Sequence, residues 1–316
     1  MKATQIAAYG DTPTVKEIHE PPLGPGDVLI RVAGAAINPL DLKISAGYLH
    51  EVFPVQFPYT LGTDISGEIV TTGDSVTGWK VGDRVVARLD PKSGGGLAEL
   101  AVISADQLAS APSSIPLFLA AGAVTAAATA WQALTEVADV QAGQRVLVHA
   151  GAGGVGSFAI QLAQKLGAHV IATASKSGLR IAADLGADEV IDYIVAPLEA
   201  QVSDIDVVID TIGGQVEEQS LKVLRSDGLL VALPTPPDGE RASARGIRAE
   251  FVFHESDAAR LSHIVQFLDD GVTILLDHRV DLKESPEALN YLAEGHAKGK
   301  VIVVPSGRPP ALGDTV

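Results

Sequence analysis

Apolar and polar positions change rhythm near Pro116. Over the first ~110 residues, short apolar runs are cut by Gly and Pro, the texture of strands joined by turns. Residues 28–32 predict one strand, entered through the turn Pro25-Gly26-Asp27, and 67–71, 84–87 and 98–103 predict three more. Gly73, Gly78 and Gly82 mark turns between them. No long helical period interrupts this stretch, so a compact β-rich module is expected.

Beyond Pro116, Ala dominates 117–138 and favours helix. Strand and helix then alternate. Residues 145–150, with Val146, Leu147 and Val148, predict a buried strand. In 155–166, Val155, Phe158, Ala159, Leu162, Ala163 and Leu166 recur at three-and-four spacing, one face of a helix, and Gly167 stands where a cap belongs. A strand at 170–173, a helix at 176–185 and strands at 206–210, 229–233 and 248–253 continue the series. Such alternation predicts an α/β fold, a parallel sheet wrapped by helices. After a helix at 256–269 the texture turns β-like again, at 280–282 and 300–304. The expected division is therefore 1–118, 119–270 and 271–316. The last segment returns to the first module and ends in a loose tail around Pro309-Pro310.

Composition narrows the function. Of 316 residues, 47% are hydrophobic, enough for a sizeable core, and the formal charge is −16. So acidic a surface repels phosphate backbones and anionic lipid, so neither nucleic acid nor membrane is an expected partner. The apolar stretch 117–130 reads as too short to span a bilayer. With no cysteine, disulfides, Cys-based zinc knuckles and a thiol nucleophile are excluded. Met1-Lys2-Ala3-Thr4-Gln5 does not open a charged leader with an apolar core, so a cytoplasmic protein is expected.

The one clear anion site is Gly151-Ala152-Gly153-Gly154-Val155-Gly156, a G-x-G-x-x-G run between a strand and an amphipathic helix. In that context glycines let a pyrophosphate approach the backbone N–H groups of the helix N-terminus, as in a Rossmann fold. An NAD-specific second strand ends in Asp or Glu for the ribose hydroxyl. Here it ends Ala174-Ser175-Lys176, with Arg180 about one turn on, so NADPH is the expected cofactor.

These residues resemble a known family. The segment from Gly73 to Val85, the glycine run preceded by His149-Ala150, Asp210-Thr211-Ile212-Gly213-Gly214, and Gly295-His296-Ala297-Lys298-Gly299-Lys300 resemble, in order, motifs of the medium-chain dehydrogenases/reductases. The resemblance implies a GroES-like β-rich catalytic domain, a doubly wound Rossmann domain, and a homodimer. Zinc-dependent members place a Cys in the stretch matching 37–41 and a His-Glu pair after the glycine matching Gly62; this chain has Asn38 and Thr63-Asp64. A catalytic zinc needs clustered N and S ligands, and the His residues here are scattered, so no metal is expected. Asn38-Pro39-Leu40-Asp41 instead is similar to the zinc-free quinone oxidoreductase and enone reductase branch.

That branch implies Asn38, Tyr48, Asp64 and Thr129 around nicotinamide and substrate. It also implies Ser175, Lys176 and Tyr193 at the 2′-phosphate, Ile212, Leu233, Phe251, Val252 and Phe253 along the nicotinamide half, and Lys300 approaching from the C-terminal segment. Plainer roles stay open: Asp41 and Asp64 as fold-holding caps, Tyr48 as a half-buried packing aromatic, Thr129 as a hydroxyl bonded to its own helix. His149 and His296 read as structural. The expected reaction is zinc-independent hydride transfer from NADPH to a quinone or α,β-unsaturated carbonyl. Two alternatives are a free-standing enoyl reductase of polyketide or acyl metabolism and a non-catalytic NADPH-binding protein.

Overall fold

The strand expected at 28–32 is the start of a longer one, Asp27–Ile37. Its first half alternates buried and solvent-facing positions; from Gly34 to Ile37 every residue is buried. The change has a local cause. Helix Leu117–Ala120 packs onto this end, and a Cβ at Gly34 would lie 2.1 Å from the Phe118 carbonyl oxygen, so only glycine admits the contact. The computed structural model describes residues 1–305; the expected loose tail lies outside the described residues.

The chain forms two compact units, Met1–Thr125 with the segment from Ser256 on, and Ala126–Glu255. The boundaries differ from the expected 118 and 270. Helix Ala258–Asp269, expected in the second unit, instead buries Leu261 against Val86, Ala109 and Val124 of the first. Asp257 caps it by accepting the Arg260 N–H.

In the first unit, Lys2–Ile6 pairs with Thr14–Glu17 and Tyr59–Thr60. A seven-stranded sheet runs in the order Leu276–Asp281, Lys300–Val304, Asp27–Ile37, Asp64–Thr72, Arg84–Arg88, Leu108–Ser110, with Leu100–Ser104 also on Asp27–Ile37. Ile30, Val32, Ile65, Ile69, Val85, Val301 and Val303 fill its core. Register decides what lies beside what: Ala36 opposes Asp64, Asp64 opposes Arg88, and Val301 opposes Ile37. Asn38, Asp64 and Lys300 therefore meet at one end of the sheet. The β-like C-terminal stretch also contains an unexpected helix, Ser285–Ala293.

The second unit holds six parallel strands in the order Glu189–Asp192, His169–Ala174, Arg145–Val148, Ile205–Asp210, Leu224–Ala232, Arg248–Phe251. Numbered from Arg145–Val148, that is 3-2-1-4-5-6, the doubly wound dinucleotide-binding order. Glu189–Asp192 was not legible, having only Val190 and Ile191 between acidic residues. Helical structure extends over Leu117–Val137, as the Ala-rich stretch 117–138 predicts, so the apolar run read over 117–130 as too short belongs to a segment long and apolar enough to cross a membrane. In this protein 72% of its most apolar window is buried, as in a core helix.

Candidate active site

Asn38 closes the long strand, and Pro39 opens helix Pro39–Ser45, where a missing N–H costs no hydrogen bond. Asp41, one turn in, accepts the Asn38 backbone N–H at Oδ2 over 2.8 Å. The Asn38 amide is held at both ends. Lys300 Nζ donates to its Oδ1 over 2.5 Å, and its Nδ2 donates to Asp64 Oδ2 over 2.9 Å. Thr125 completes the Asp64 shell through its backbone N–H (2.9 Å) and hydroxyl (2.6 Å). All but Thr125 are almost wholly buried.

Burial at this density moves proton affinities. Burial pushes the Asp41 carboxyl up to about 7, with the nearby Asp64 charge adding to the rise and the Asn38 N–H opposing it. Burial pushes the Lys300 ammonium down, while Asp64 and Asp41 favour its charge. One cation bridged to one well-bonded carboxylate by an amide is a self-compensated polar cluster. Among the described residues, no three His, Asp or Glu gather as a metal site would require.

The second unit carries the glycine run. Strand Arg145–Val148 delivers the chain to Ala150, whose φ is +49°, and helix Gly154–Lys165 leads away. A Cβ at Gly156 would lie 2.2 Å from the Ala150 carbonyl oxygen, and one at Gly151 would lie 2.9 Å from Ala172 Cβ. Those two glycines close-pack helix against strand. Gly153 has more room, its added Cβ falling 3.1 Å from Ala150 O, and Ala152 is largely buried. With Val155 they form the turn and first helical positions at which N–H groups face an anion. This cradle fits a dinucleotide pyrophosphate.

Other expected cofactor residues lie at the carboxyl ends of the parallel strands, where such sheets bind ligands. Ser175 Oγ donates to Tyr193 Oη over 2.9 Å, and Lys176 projects from a strained turn with φ +52°. Arg180 is exposed and turned to Asp184, 3.5 Å away. Asp210 Oδ1 accepts the N–H groups of Ile212 and Gly213, both at 2.8 Å, shaping the loop that exposes Ile212. Leu233 donates its N–H to Asp210 O, and Val252 its own to Ala232 O, so Phe251 closes the last strand and Val252 and Phe253 follow it.

Asn38, Asp64 and Lys300 are thus brought together, whereas Tyr48 is not in that network. Tyr48 is 81% exposed, not half-buried, beside Leu42, Ala46 and Leu289. Thr129 is buried in helix Val124–Trp131, in the second unit. Thr125 was missed, since nothing in its spacing relates it to Asp64. His149 is a fully bonded core residue. Ser220 gives its hydrogen to Val216 O, so it accepts from His149 Nε2–H over 2.9 Å. Nδ1 then accepts from Thr173, 3.1 Å away, and Thr173 Oγ1 accepts the Ala150 N–H. Burial pushes His149 down to about 4, with Asp210 opposing the fall. His296 is exposed, Nδ1 against Glu294 O.

Comparison with known proteins agrees with this architecture. Residues 24–113 match the alcohol dehydrogenase GroES-like domain, and residues 185–303 match the zinc-binding dehydrogenase family. The mitochondrial NAD(P)H oxidoreductase RTN4IP1 of Danio rerio is 33% identical, over 88% of this chain and 84% of its own. The polyketide synthase GfsB of Streptomyces halstedii is 35% identical over 92% of this chain, which corresponds to 5% of that very long protein. The solved quinone oxidoreductase from Coxiella burnetii superposes with a TM-score of 0.91 at 32% identity, covering 97% of this chain and 99% of its own. With a GroES-like unit, a 3-2-1-4-5-6 parallel sheet and a glycine cradle in the structure, and relatives of this identity and coverage, the chain belongs to the medium-chain dehydrogenase/reductase superfamily, in its quinone oxidoreductase branch, and is an NAD(P)H oxidoreductase.

Proposed function

We propose that the chain carries hydride from NADPH to a quinone or an α,β-unsaturated carbonyl, without zinc. The observation that carries this reading is the engagement of Asn38. Where zinc-dependent relatives are expected to hold a metal ligand, an amide is tied between an ammonium and a carboxylate. Without a Lewis acid, a simple ketone or alcohol is poorly activated, whereas a quinone or enone already spreads the incoming charge.

Bound NADPH supplies the hydride. The chain's residues do the rest. The glycine cradle takes the pyrophosphate, and Ser175, Lys176 and Tyr193 take the 2′-phosphate. Asn38 donates to the oxygen on which charge develops. Asp64, with no exposed surface, holds Asn38 rather than touching substrate. The last proton reaches that oxygen from Tyr48 or from water, and Tyr48→Phe separates the two.

The test is oxidation of NADPH by purified protein with para-benzoquinone, methyl vinyl ketone, an enoyl thioester and, in reverse, ethanol with NADP⁺. Turnover of quinone or enone with little ethanol oxidation supports the reading. Efficient ethanol oxidation alone overturns it, and tight NADPH binding without any turnover favours a binding protein. The kinship with a polyketide synthase segment favours one second reading, an enoyl reductase on larger acyl substrates, which the thioester arm detects.

A further inference from the structure

The family resemblance puts Lys300 beside the cofactor, yet its ammonium is almost completely buried and directed at Asn38. Besides Asn38 Oδ1, Nζ reaches Ile37 O at 3.5 Å. We propose that Lys300 is a positioning residue, whose ammonium fixes the Asn38 side-chain amide in one orientation so that the site presents an N–H, never a carbonyl oxygen, to the acceptor. This rests on the proposed acceptor chemistry and deepens it.

The argument is one of donors and acceptors. An ammonium can only donate, and an ionised carboxylate can only accept. Lys300 faces one end of the Asn38 amide and Asp64 the other. Only one orientation satisfies both; half a turn about the last side-chain bond would set NH₂ against NH₃⁺ and carbonyl oxygen against carboxylate. Asp64 cannot turn away to relieve the clash, because Thr125 holds both its oxygens from backbone and hydroxyl. Lys300 has little room to swing out either: its strand is fixed between Leu276–Asp281 and Asp27–Ile37, and its side chain is almost wholly buried.

The second Nδ2 hydrogen is the useful one. Its approach to Ala36 O is 3.5 Å, too long for a good hydrogen bond. It remains a donor for an oxygen that gains charge in the transition state. The ammonium on Oδ1 also draws density from the amide and strengthens that donor. Lys300 thus acts through Asn38, not on the cofactor.

The first readout needs no variant. In the unmodified, cofactor-free protein, the Asn38 Nδ2 hydrogen that points to Asp64 should be shifted downfield in the nuclear magnetic resonance spectrum and exchange with solvent more slowly than its partner. Absence of that downfield shift, with the two hydrogens exchanging equally fast, would mean an amide that is not held in one orientation and would overturn the proposal. In Lys300→Met the pair should shift and broaden. The calorimetric affinity for NADPH should change by less than about twofold, while kcat with para-benzoquinone falls roughly 10- to 100-fold, less than losing a whole oxyanion donor. Lys300→Gln, shorter but still a donor, should fold where Met does not and recover part of kcat. A tenfold loss of NADPH affinity with kcat preserved would make Lys300 a cofactor contact instead. If the unmodified protein reduces neither quinone nor enone, the proposed function fails, while the amide signals still decide the positioning role.

Discussion

Ser175 and Tyr193 are joined side chain to side chain, the serine hydroxyl donating to the tyrosine hydroxyl over 2.9 Å. They meet because the edge strand Glu189–Asp192 runs parallel to its neighbour His169–Ala174 with Ala174 opposite Asp192, which brings the next residues together. The pair faces the turn where an NAD-specific enzyme would carry a carboxylate, and Lys176 stands beside it. A 2′-phosphate there meets hydroxyls and one cation.

Preference for NADPH is the expected outcome. A well-formed charge-assisted contact contributes ~1.5–3 kcal/mol, but exposed charge pairs often give under ~1 kcal/mol. Lys176 is exposed, so Lys176→Ala should raise the KM for NADPH by roughly two- to fivefold and leave NADH nearly unchanged. Parallel titration of both cofactors with both proteins measures it. Equal use of NADH and NADPH by the unmodified protein would refute the assignment.

Two of the cradle's four glycines should respond differently. Gly156→Ala forces a Cβ onto the Ala150 carbonyl at 2.2 Å, with backbone on both sides and nothing flexible to yield. It should lower the melting temperature of the protein or abolish soluble expression. Gly153→Ala has an ordinary φ of −85° and a 3.1 Å contact, so the fold should survive. Its methyl group crowds the anion, and NADPH affinity should fall about tenfold or more by calorimetry. Equal stability of the two variants would contradict this division of roles.

Two buried groups should pull stability in opposite directions with pH. Asp41 rises from 3.8 to about 7 on folding, so its contribution is present at low pH and is lost as pH climbs toward 7. His149 falls from 6.5 to about 4, so its contribution is present above 6.5 and is lost as pH drops toward 4. Across the shared window the slopes oppose, each bounded at about 1.4 kcal/mol per pH unit. Asp41→Asn should make stability rise more steeply with pH, and His149→Gln should make it fall more steeply. Urea midpoints over the window from 4 to 7 decide, and unchanged slopes in both variants would show that neither group titrates as argued.

Activity should not depend on a metal. Asn38 and Asp64 are already bonded to protein partners, and freeing them for an ion would strand the Lys300 ammonium. Prolonged treatment with a chelator should leave turnover intact, and elemental analysis of active protein should find no stoichiometric zinc. Loss to chelation with recovery on adding zinc would reverse this conclusion.

What was legible in the sequence was whatever depends on neighbours along the chain. The helix of Val155, Phe158, Ala159 and Leu162 was visible because its apolar residues recur with the helical period, although the structure buries every residue from Gly156 to Ala163. The glycine cradle was visible because strand, turn and helix are contiguous. Lys2–Ile6 and Glu189–Asp192 were not, being short strands that depend on partners far away: Lys2 pairs with Glu17, and Glu189 with Ile171. Asn38, Asp64 and Lys300 were candidates through family resemblance alone. Their meeting is set by strand register, Ala36 to Asp64 and Ile37 to Val301, which no spacing rule encodes. Thr125 joins Asp64 across 61 residues and carried no signal at all.

Pro39 also has a bearing on how this protein ages. Asparagine side chains are lost over time chiefly when the next residue's backbone nitrogen attacks the side-chain carbonyl and expels ammonia. That nitrogen must lose a hydrogen, and in Pro39 it has none to lose. The residue that opens the helix after Asn38 thereby closes the usual route of deamidation at Asn38. Were the amide to become an acid, Asp41, Asp64 and a new carboxyl would crowd around one ammonium, and the donor would be gone. The Asn-Pro pair thus guards the amide at the centre of this site against its commonest hydrolytic loss.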